Sequence, residues 1–170
     1  MILKDLGKNL INTLDHLGDL TPHITKDGSF SLKNSYYRES FHSSTGARQE
    51  AEHKFLHPSE INRFLECKRI NVLDVCVGLG YNSACIFEEI IKTPIHLNWW
   101  GVEIDKRPLE IALENTIFRK SWSLPVLKIL DSIKETGQWH NSQSNGKVLW
   151  GDARRTIDLI PYSFTFDLIL

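Results

Sequence analysis

Residues 72–82 read Val-Leu-Asp-Val-Cys-Val-Gly-Leu-Gly-Tyr-Asn, an apolar run that leads into a turn with two glycines. Gly78 and Gly80 lack a Cβ, so the backbone there can adopt a positive φ and a ligand can approach it closely. The pattern predicts a strand, a tight turn and a helix whose free N–H groups point into the same space. We therefore expect a cofactor cleft lined by this turn, with Tyr81 covering the ligand and Asn82 starting the helix.

The same stretch departs from the dinucleotide fingerprint. A full G-x-G-x-x-G pattern has a third glycine where this chain has Ser83, and Asp74 lies four residues before Gly78. A strand carboxylate so close to the turn repels phosphate, but it accepts hydrogen bonds from a cationic or hydroxylated ligand. The sequence thus favours a nucleoside cofactor without a pyrophosphate, and a nicotinamide-dependent oxidoreductase is the weaker alternative.

The composition is typical of one soluble domain that is large enough to bury a core. The chain has 170 residues, of which 41% are hydrophobic and 24% are charged. Its formal charge of −1 includes no long basic run, so a nucleic-acid partner would have to contact a local patch. Arg119-Lys120 and Arg154-Arg155 are the small candidates for such a patch.

The sequence also bears on cellular location and on the state of the cysteines. It contains no run of about twenty apolar residues, and residues 1–5 lack the core of a signal peptide. We therefore expect a cytoplasmic protein with no membrane partner. Cys67, Cys76 and Cys85 are odd in number, which predicts reduced, buried thiols rather than disulfides or metal ligands.

Residues 1–69 are predicted to form an N-terminal helical and hairpin extension. A helix is expected over 2–20, because leucines recur there every three or four residues, at Leu3, Leu6, Leu10, Leu14 and Leu17. Asp27-Gly28 predicts a tight turn between two short strands within 24–33. Helices are expected over about 47–55 and 59–65, the second of them capped by Ser59-Glu60 after Pro58.

Residues 70–170 alternate between strand and helix patterns. Strands are predicted over 71–77, 96–104, 147–150 and 166–170; helices over 82–92, 108–118, 125–136 and 154–160; and a polar loop over 140–146. This alternation predicts an α/β fold, a Rossmann-like, doubly wound and mainly parallel sheet with its ligand crevice at the strand carboxyl ends. Such sheets generally have more than four strands, so we expect an incomplete domain that lacks its C-terminal strands.

Four elements lie at those strand ends: 74–80, 103–105, 151–153 and 166–170. Together they resemble the class I S-adenosylmethionine-dependent methyltransferases. An acidic residue at the end of the second strand can accept hydrogen bonds from both ribose hydroxyls. Glu103, 23 residues beyond Gly80, is the first candidate for this role and Asp105 the second.

The resemblance also implies roles for the other acidic residues. Asp152 would contact the adenine amino group with the backbone of Ala153 beside it, and Asp74 would line the methionine end of the cofactor. Structural alternatives stay open for these side chains. Glu103 and Asp105 could be strand-end charges that face water, Asp105 could cap the helix that Pro108 begins, and Asp152 could cap the helix at Arg154.

A narrower resemblance covers about residues 20–170. The run 25–32, Thr-Lys-Asp-Gly-Ser-Phe-Ser-Leu, is followed by Phe41-His42-Ser43, by Gly46-Ala47 and by a helical stretch over 50–55. This combination resembles the MnmC-like methyltransferase domain. The resemblance implies methyl transfer from S-adenosylmethionine to the aminomethyl group of a modified wobble uridine in tRNA. His42 is a candidate for contact with ligand or substrate, its alternative being a surface or hydrogen-bonded histidine.

The same resemblance extends to partners and to catalysis. tRNA is the expected partner, with a separate flavin-dependent oxidase as a further one. The reactive methyl belongs to the cofactor, so no metal is expected. The family's acidic residue near the target amine follows the fourth strand, a position beyond Leu170. The alternatives are a non-catalytic, truncated remnant of such a domain and another small-molecule methyltransferase.

Overall fold

The computed structural model describes residues 17–170. The predicted leucine-rich helix over 2–20 therefore falls mostly outside the described residues. Its last residue, Leu20, instead begins strand β1 (Leu20–Ile24). Strand β1 pairs antiparallel with β2 (Phe30–Asn34), and β2 pairs antiparallel with β3 (Glu39–Ser40). The predicted turn at Asp27-Gly28 is confirmed, and a third strand extends the hairpin.

A second sheet contains five strands. They are β4 (Arg69–Val75), β5 (His96–Glu103), β6 (Gln138–His140), β7 (Ser144–Trp150) and β8 (Leu168–Ile169). Their spatial order is β6-β7-β5-β4-β8, and every neighbouring pair is parallel except β6 with β7. From β4 the chain adds β5 and β7 on one side and then β8 on the other. This reversal beside β4 places the ligand crevice outside its carboxyl end. The predicted Rossmann-like, mainly parallel fold is confirmed.

Seven α-helical segments accompany the sheets within residues 17–170. They are α1 (Ala47–Ala51), α2 (His57–Ser59), α3 (Tyr81–Ile90), α4 (Arg107–Glu114), α5 (Thr116–Lys120), α6 (Leu124–Thr136) and α7 (Ala153–Thr156). A π-helical turn (Glu52–Leu56) joins α1 to α2, and 3-10 turns follow at Ile61–Phe64 and Ile157–Leu159. None of the helices in this part of the chain has the length and apolar character needed to cross a bilayer.

Two sequence predictions in the first half are corrected. The helix that begins at Ala47 continues through Pro58, because the π-helical turn over Glu52–Leu56 joins α1 to α2 without a break. The predicted cap at Ser59 is wrong: its hydroxyl donates to the carbonyl of Leu56, and Glu60 takes a left-handed conformation that ends the helix.

Three predictions in the second half are corrected as well. The polar loop over 140–146 forms most of the β6–β7 hairpin, because Trp139 and Ser144 are buried there and the Trp139 indole donates to the Ser144 hydroxyl. The helix predicted over 108–118 breaks at Asn115, whose side chain caps α5. The last strand, predicted over 166–170, is β8 and contains only Leu168 and Ile169.

One hydrophobic cluster joins the two sheets. Phe30 and Leu32 of β2 belong to the same buried cluster as Ile70 and Val72 of β4. The division into a 1–69 extension and a 70–170 domain stays a prediction. Trp99 is buried and packs against Phe87 and Trp139.

The Asp-Gly-Ser turn caps the first helix. The Ser29 hydroxyl accepts hydrogen bonds from the backbone N–H groups of Ala47 (3.0 Å) and Arg48 (3.2 Å), at the start of α1. Asp27 accepts from the N–H of Gln49. A Cβ at Gly46 would overlap the Asp27 carboxylate, so this position admits only glycine without a shift. The turn therefore fixes where α1 begins.

Ser29→Ala should lower the free energy of unfolding by about 1–2 kcal/mol, because it removes a buried acceptor for the first N–H groups of α1. Urea denaturation would measure the difference. Ser163→Ala, at an exposed position, is the control and should leave stability unchanged. Equal stability of both variants and the wild type would contradict the capping role.

Candidate functional site

A cavity of about 310 Å³ lies at the carboxyl ends of β4 and β5. Its size is within the range of small-molecule sites. One wall is the glycine turn and the end of β5; the other is the segment around β3. The lining residues are Leu17, Asn34, Tyr37, Glu39, Ser40, Phe41, Cys76, Gly78, Glu103, Ile104 and Asp105. Three of the predicted site residues, Gly78, Glu103 and Asp105, thus meet in one cavity.

Glu103 is held at the cavity by two backbone groups. The N–H of Gly78 donates to Oε2 and the N–H of Asp105 donates to Oε1, each at 2.8 Å. The side chain is only 8% exposed, and burial raises the pKa of the Glu103 carboxyl while these two N–H groups oppose the rise. Each carboxylate oxygen keeps a second lone pair for a ligand donor.

Asp105 contacts the start of the helix that contains Pro108, which was the structural alternative for this residue. Its Oδ1 accepts from the backbone N–H of Arg107, the first residue of α4, at 3.0 Å. The Arg107 guanidinium also binds both carboxylate oxygens, the shorter contact being 2.7 Å, and donates to the carbonyl of Gly18 at 3.0 Å. Arg107 therefore neutralises Asp105 and ties the segment before β1 to the cavity wall. Sequence reasoning missed this arginine.

Asp74 lies behind the cavity and is completely buried. The Ser83 hydroxyl donates to its Oδ2, and the indole Nε1 of Trp99 donates to the Ser83 oxygen at 2.7 Å. Oδ1 has no hydrogen-bond partner among residues 17–170. Burial raises the pKa of Asp74 to about 6, and the negative charge of Glu103 adds to the rise. Ser83 occupies the position of the third glycine in the dinucleotide fingerprint, and here its hydroxyl binds the Asp74 carboxyl.

Asp152 and Ala153 lie one strand farther along the same edge. The N–H of Gly151 donates to the Glu103 carbonyl at 2.7 Å, which brings β7 next to the end of β5. Asp152 caps α7 by accepting from the N–H of Arg154, and its carboxylate pairs with the Arg154 guanidinium. These hydrogen bonds lower the pKa of Asp152 to about 2. Asp152 therefore has the helix-capping role that was its structural alternative. Neither Asp152 nor Ala153 lines the cavity.

Tyr81 lies in the core, His42 is partly buried against it, and neither residue lines the cavity. The Tyr81 ring, predicted to cover the ligand, packs instead against Phe118 and Trp122, and its hydroxyl donates to the Phe30 carbonyl at 2.9 Å. His42 Nδ1 lies 3.0 Å from the Ser31 hydroxyl.

His42 also meets the Tyr81 ring edge-to-face. Burial lowers the pKa of the His42 imidazole to about 4, so it is neutral at physiological pH. The position of His42 matches the alternative of a hydrogen-bonded histidine rather than contact with a ligand in the cavity. Asn82 follows Tyr81 in the first turn of α3, and Gly80, with a left-handed φ of 89°, is the N-cap.

Three residues line the cavity although the sequence analysis did not predict them as site residues: Phe41, Tyr37 and Cys76. The Phe41 ring lies against the backbone at Gly78, where a Cβ would approach it to 3.5 Å. Cys76 directly follows β4, has a left-handed φ of 67° and is exposed. The prediction of buried thiols is therefore wrong for Cys76 and also for Cys67, whereas Cys85 is buried. All three thiols are free, as predicted.

The cavity has an acidic character. The part of the chain that the structure describes contributes Glu39, Glu103 and Asp105 to its lining and no basic side chain. Burial raises the pKa of the Cys76 thiol, and the charges of Glu103 and Asp74 raise it further, so the thiol stays protonated. A second cavity of about 210 Å³ lies near the start of β5, and its lining residues within the described range 17–170 include no ionisable side chain. The acidic cavity is the better match for a cationic, hydroxylated ligand.

Comparison with known proteins agrees with this fold. No protein-family model matches the chain. An uncharacterized protein of Methanocaldococcus jannaschii, MJ0670, is 39% identical over 156 residues, which are 91% of this chain and 41% of the relative. The crystal structure of MnmC2 from Aquifex aeolicus superposes with a TM-score of 0.71 and 25% identity over 99% of this chain and 56% of that one. The chain has an MnmC-like methyltransferase fold, and it spans roughly half the length of these two proteins.

Asp74→Asn should change how stability depends on pH. A folded-state pKa of about 6, above the ordinary aspartate value of 3.8, gives a stabilising contribution that is full below pH 3.8 and lost as pH rises through 6. The uncharged amide avoids this loss. The stability of the variant relative to the wild type should therefore increase between about pH 4 and pH 7, as urea denaturation at several pH values would measure.

Asp158→Asn, at an exposed position, provides the matched control and should show no such trend. A constant difference between Asp74→Asn and the wild type across this pH range would contradict the raised pKa.

Proposed function

We propose that the chain binds S-adenosylmethionine and takes part in methylating the aminomethyl group of a modified wobble uridine in tRNA. The observation that carries the proposal is the buried Glu103 carboxylate beside the glycine turn, oriented by the N–H groups of Gly78 and Asp105. The similarity to MnmC2 over nearly the whole chain supports the same assignment.

The cavity residues fit an adenosyl sulfonium ligand. Glu103 uses one acceptor position on each oxygen, so two vicinal ribose hydroxyls can donate to the remaining ones. The exposed side chains of Phe41 and Ile104 offer apolar contacts for a purine ring. The negative charges of Glu103 and Glu39 favour the positive charges of the sulfonium and ammonium groups.

The same contacts argue against a nicotinamide dinucleotide. A pyrophosphate needs free backbone N–H groups at the glycine turn. Here the N–H of Gly78 donates to Glu103, and the N–H of Gly80 donates to the carbonyl of Val77. The buried Asp74 would also repel the phosphates. The oxidoreductase alternative therefore has no support at this turn.

The chain's own part in the reaction is positioning. The cofactor, when bound, supplies a methyl group on a sulfonium that a neutral amine can displace. Glu103 would hold the ribose, Asp74 and Glu103 together would give the cleft its negative potential, and Phe41 would keep water from one side. Alignment of the two reactants is a large part of catalysis for such a displacement.

Glu103→Gln should weaken the binding of S-adenosylmethionine by about 1–3 kcal/mol, because it removes a charged acceptor for the ribose hydroxyls. Isothermal titration calorimetry would measure the affinity, and thermal melting would verify that the variant is folded. Glu114→Gln, an exposed glutamate on α4, should bind like the wild type. A folded wild-type sample that does not bind the cofactor would overturn the proposal.

The tRNA part needs a separate test. The protein would be incubated with S-adenosylmethionine carrying a labelled methyl group and with tRNA that bears an aminomethyl-uridine at the wobble position. Label should enter this tRNA and not the same tRNA with unmodified uridine, because only the former carries the nucleophilic amine. No label in either tRNA, with cofactor binding intact, would contradict the proposed substrate.

A further inference from the structure

The turn between β2 and β3 presents two tyrosine rings at the mouth of the cavity. Tyr36 and Tyr37 are 62% and 61% exposed, and their rings meet edge-to-face with centroids 5.0 Å apart. Tyr37 also lines the cavity, next to Phe41. Exposed apolar rings that cluster beside a cleft mark an interaction site, whereas single scattered ones do not.

The turn is fixed by a buried asparagine. Asn34 Oδ1 accepts from the backbone N–H groups of Tyr36 (2.9 Å) and Tyr37 (3.1 Å), and its Nδ2 donates to the Leu17 carbonyl at 2.7 Å. The Asn34 side chain is therefore bonded at both ends. Since the backbone that carries the rings is ordered in advance, a ligand that stacks on them loses less conformational entropy on binding.

A basic side chain follows the two rings. Arg38 is exposed, has a left-handed φ of 58°, and makes no salt bridge to any residue between 17 and 170. Lys33, on β2, is exposed as well. Aromatic rings with a nearby guanidinium are how proteins hold single-stranded RNA, because the rings stack on bases and the cation contacts phosphate.

We propose that Tyr36 and Tyr37 form a stacking platform for unpaired nucleobases of the RNA substrate, with Arg38 on the adjacent phosphate. The wobble uridine lies in a single-stranded loop, and bases beside it would meet the rings as the modified base enters the cavity. This inference rests on the proposed function for the identity of the RNA. It extends the proposed site beyond the cavity, because Tyr37 lines the cavity whereas Tyr36 does not.

The test is fluorescence anisotropy with the full chain and a labelled anticodon stem-loop RNA. Tyr36→Ala and Tyr37→Ala should each weaken binding about tenfold or more, the effect expected for loss of one base-stacking ring. Tyr36→Phe and Tyr37→Phe keep the ring and should restore wild-type affinity. Tyr162→Ala is the matched control, since Tyr162 is 94% exposed and lies before β8, away from the turn.

Calorimetry with S-adenosylmethionine separates the two proposals. If the cofactor binds to the wild type and to Tyr36→Ala equally, but the alanine variants bind RNA as the wild type does, the stacking platform is wrong and the proposed function stands. If the cofactor does not bind while RNA binding depends on the rings, the proposed function is wrong and the stacking platform stands.

Two further outcomes would overturn the platform. The wild-type chain could fail to bind the stem-loop while remaining folded. The alanine variants could instead abolish self-association in sedimentation with no change in RNA affinity, which would make the rings a contact between copies of the chain.

Discussion

The hydrogen bonds from Gly78 and Asp105 to the Glu103 carboxylate determine the shape of the cleft. They connect the turn after β4 to the loop after β5, two segments that the parallel sheet places side by side. A buried carboxylate without donors would be strongly unfavourable, whereas bonds from backbone N–H groups to a charged acceptor are among the stronger ones in proteins. The acid is thus both the ligand contact we propose and the link that closes one wall of the cavity.

Several residues that carry the family resemblance have a structural task. Asp27 and Ser29 bind the first N–H groups of α1, and Gly46 leaves room for the Asp27 carboxylate. His42 anchors the chain to Ser31, one residue after Phe41 reaches the cavity. The residues that carry a sequence resemblance can therefore be ones that hold the scaffold together, although Phe41 of the same pattern also lines the cavity.

Much of the fold was predictable, and so was part of the site. The glycine turn, the strand and helix alternation and the carboxyl-end rule together located Gly78, Glu103 and Asp105. Tyr81 was misjudged because the sequence cannot show that its hydroxyl meets the Phe30 carbonyl inside the core. Cys76 was misjudged because the strand ends at Val75, before the predicted end at 77, and Cys76 takes a left-handed backbone conformation with its thiol exposed.

The hydrogen-bonded chain from Trp99 through Ser83 to Asp74 runs from the core to the back of the cleft. Members of such a chain polarise one another, so a change in the charge on the carboxyl alters the electric field at the indole. We therefore expect the fluorescence of Trp99, one of five tryptophans in the chain and only 1% exposed, to respond to the charge on Asp74 at the back of the cleft.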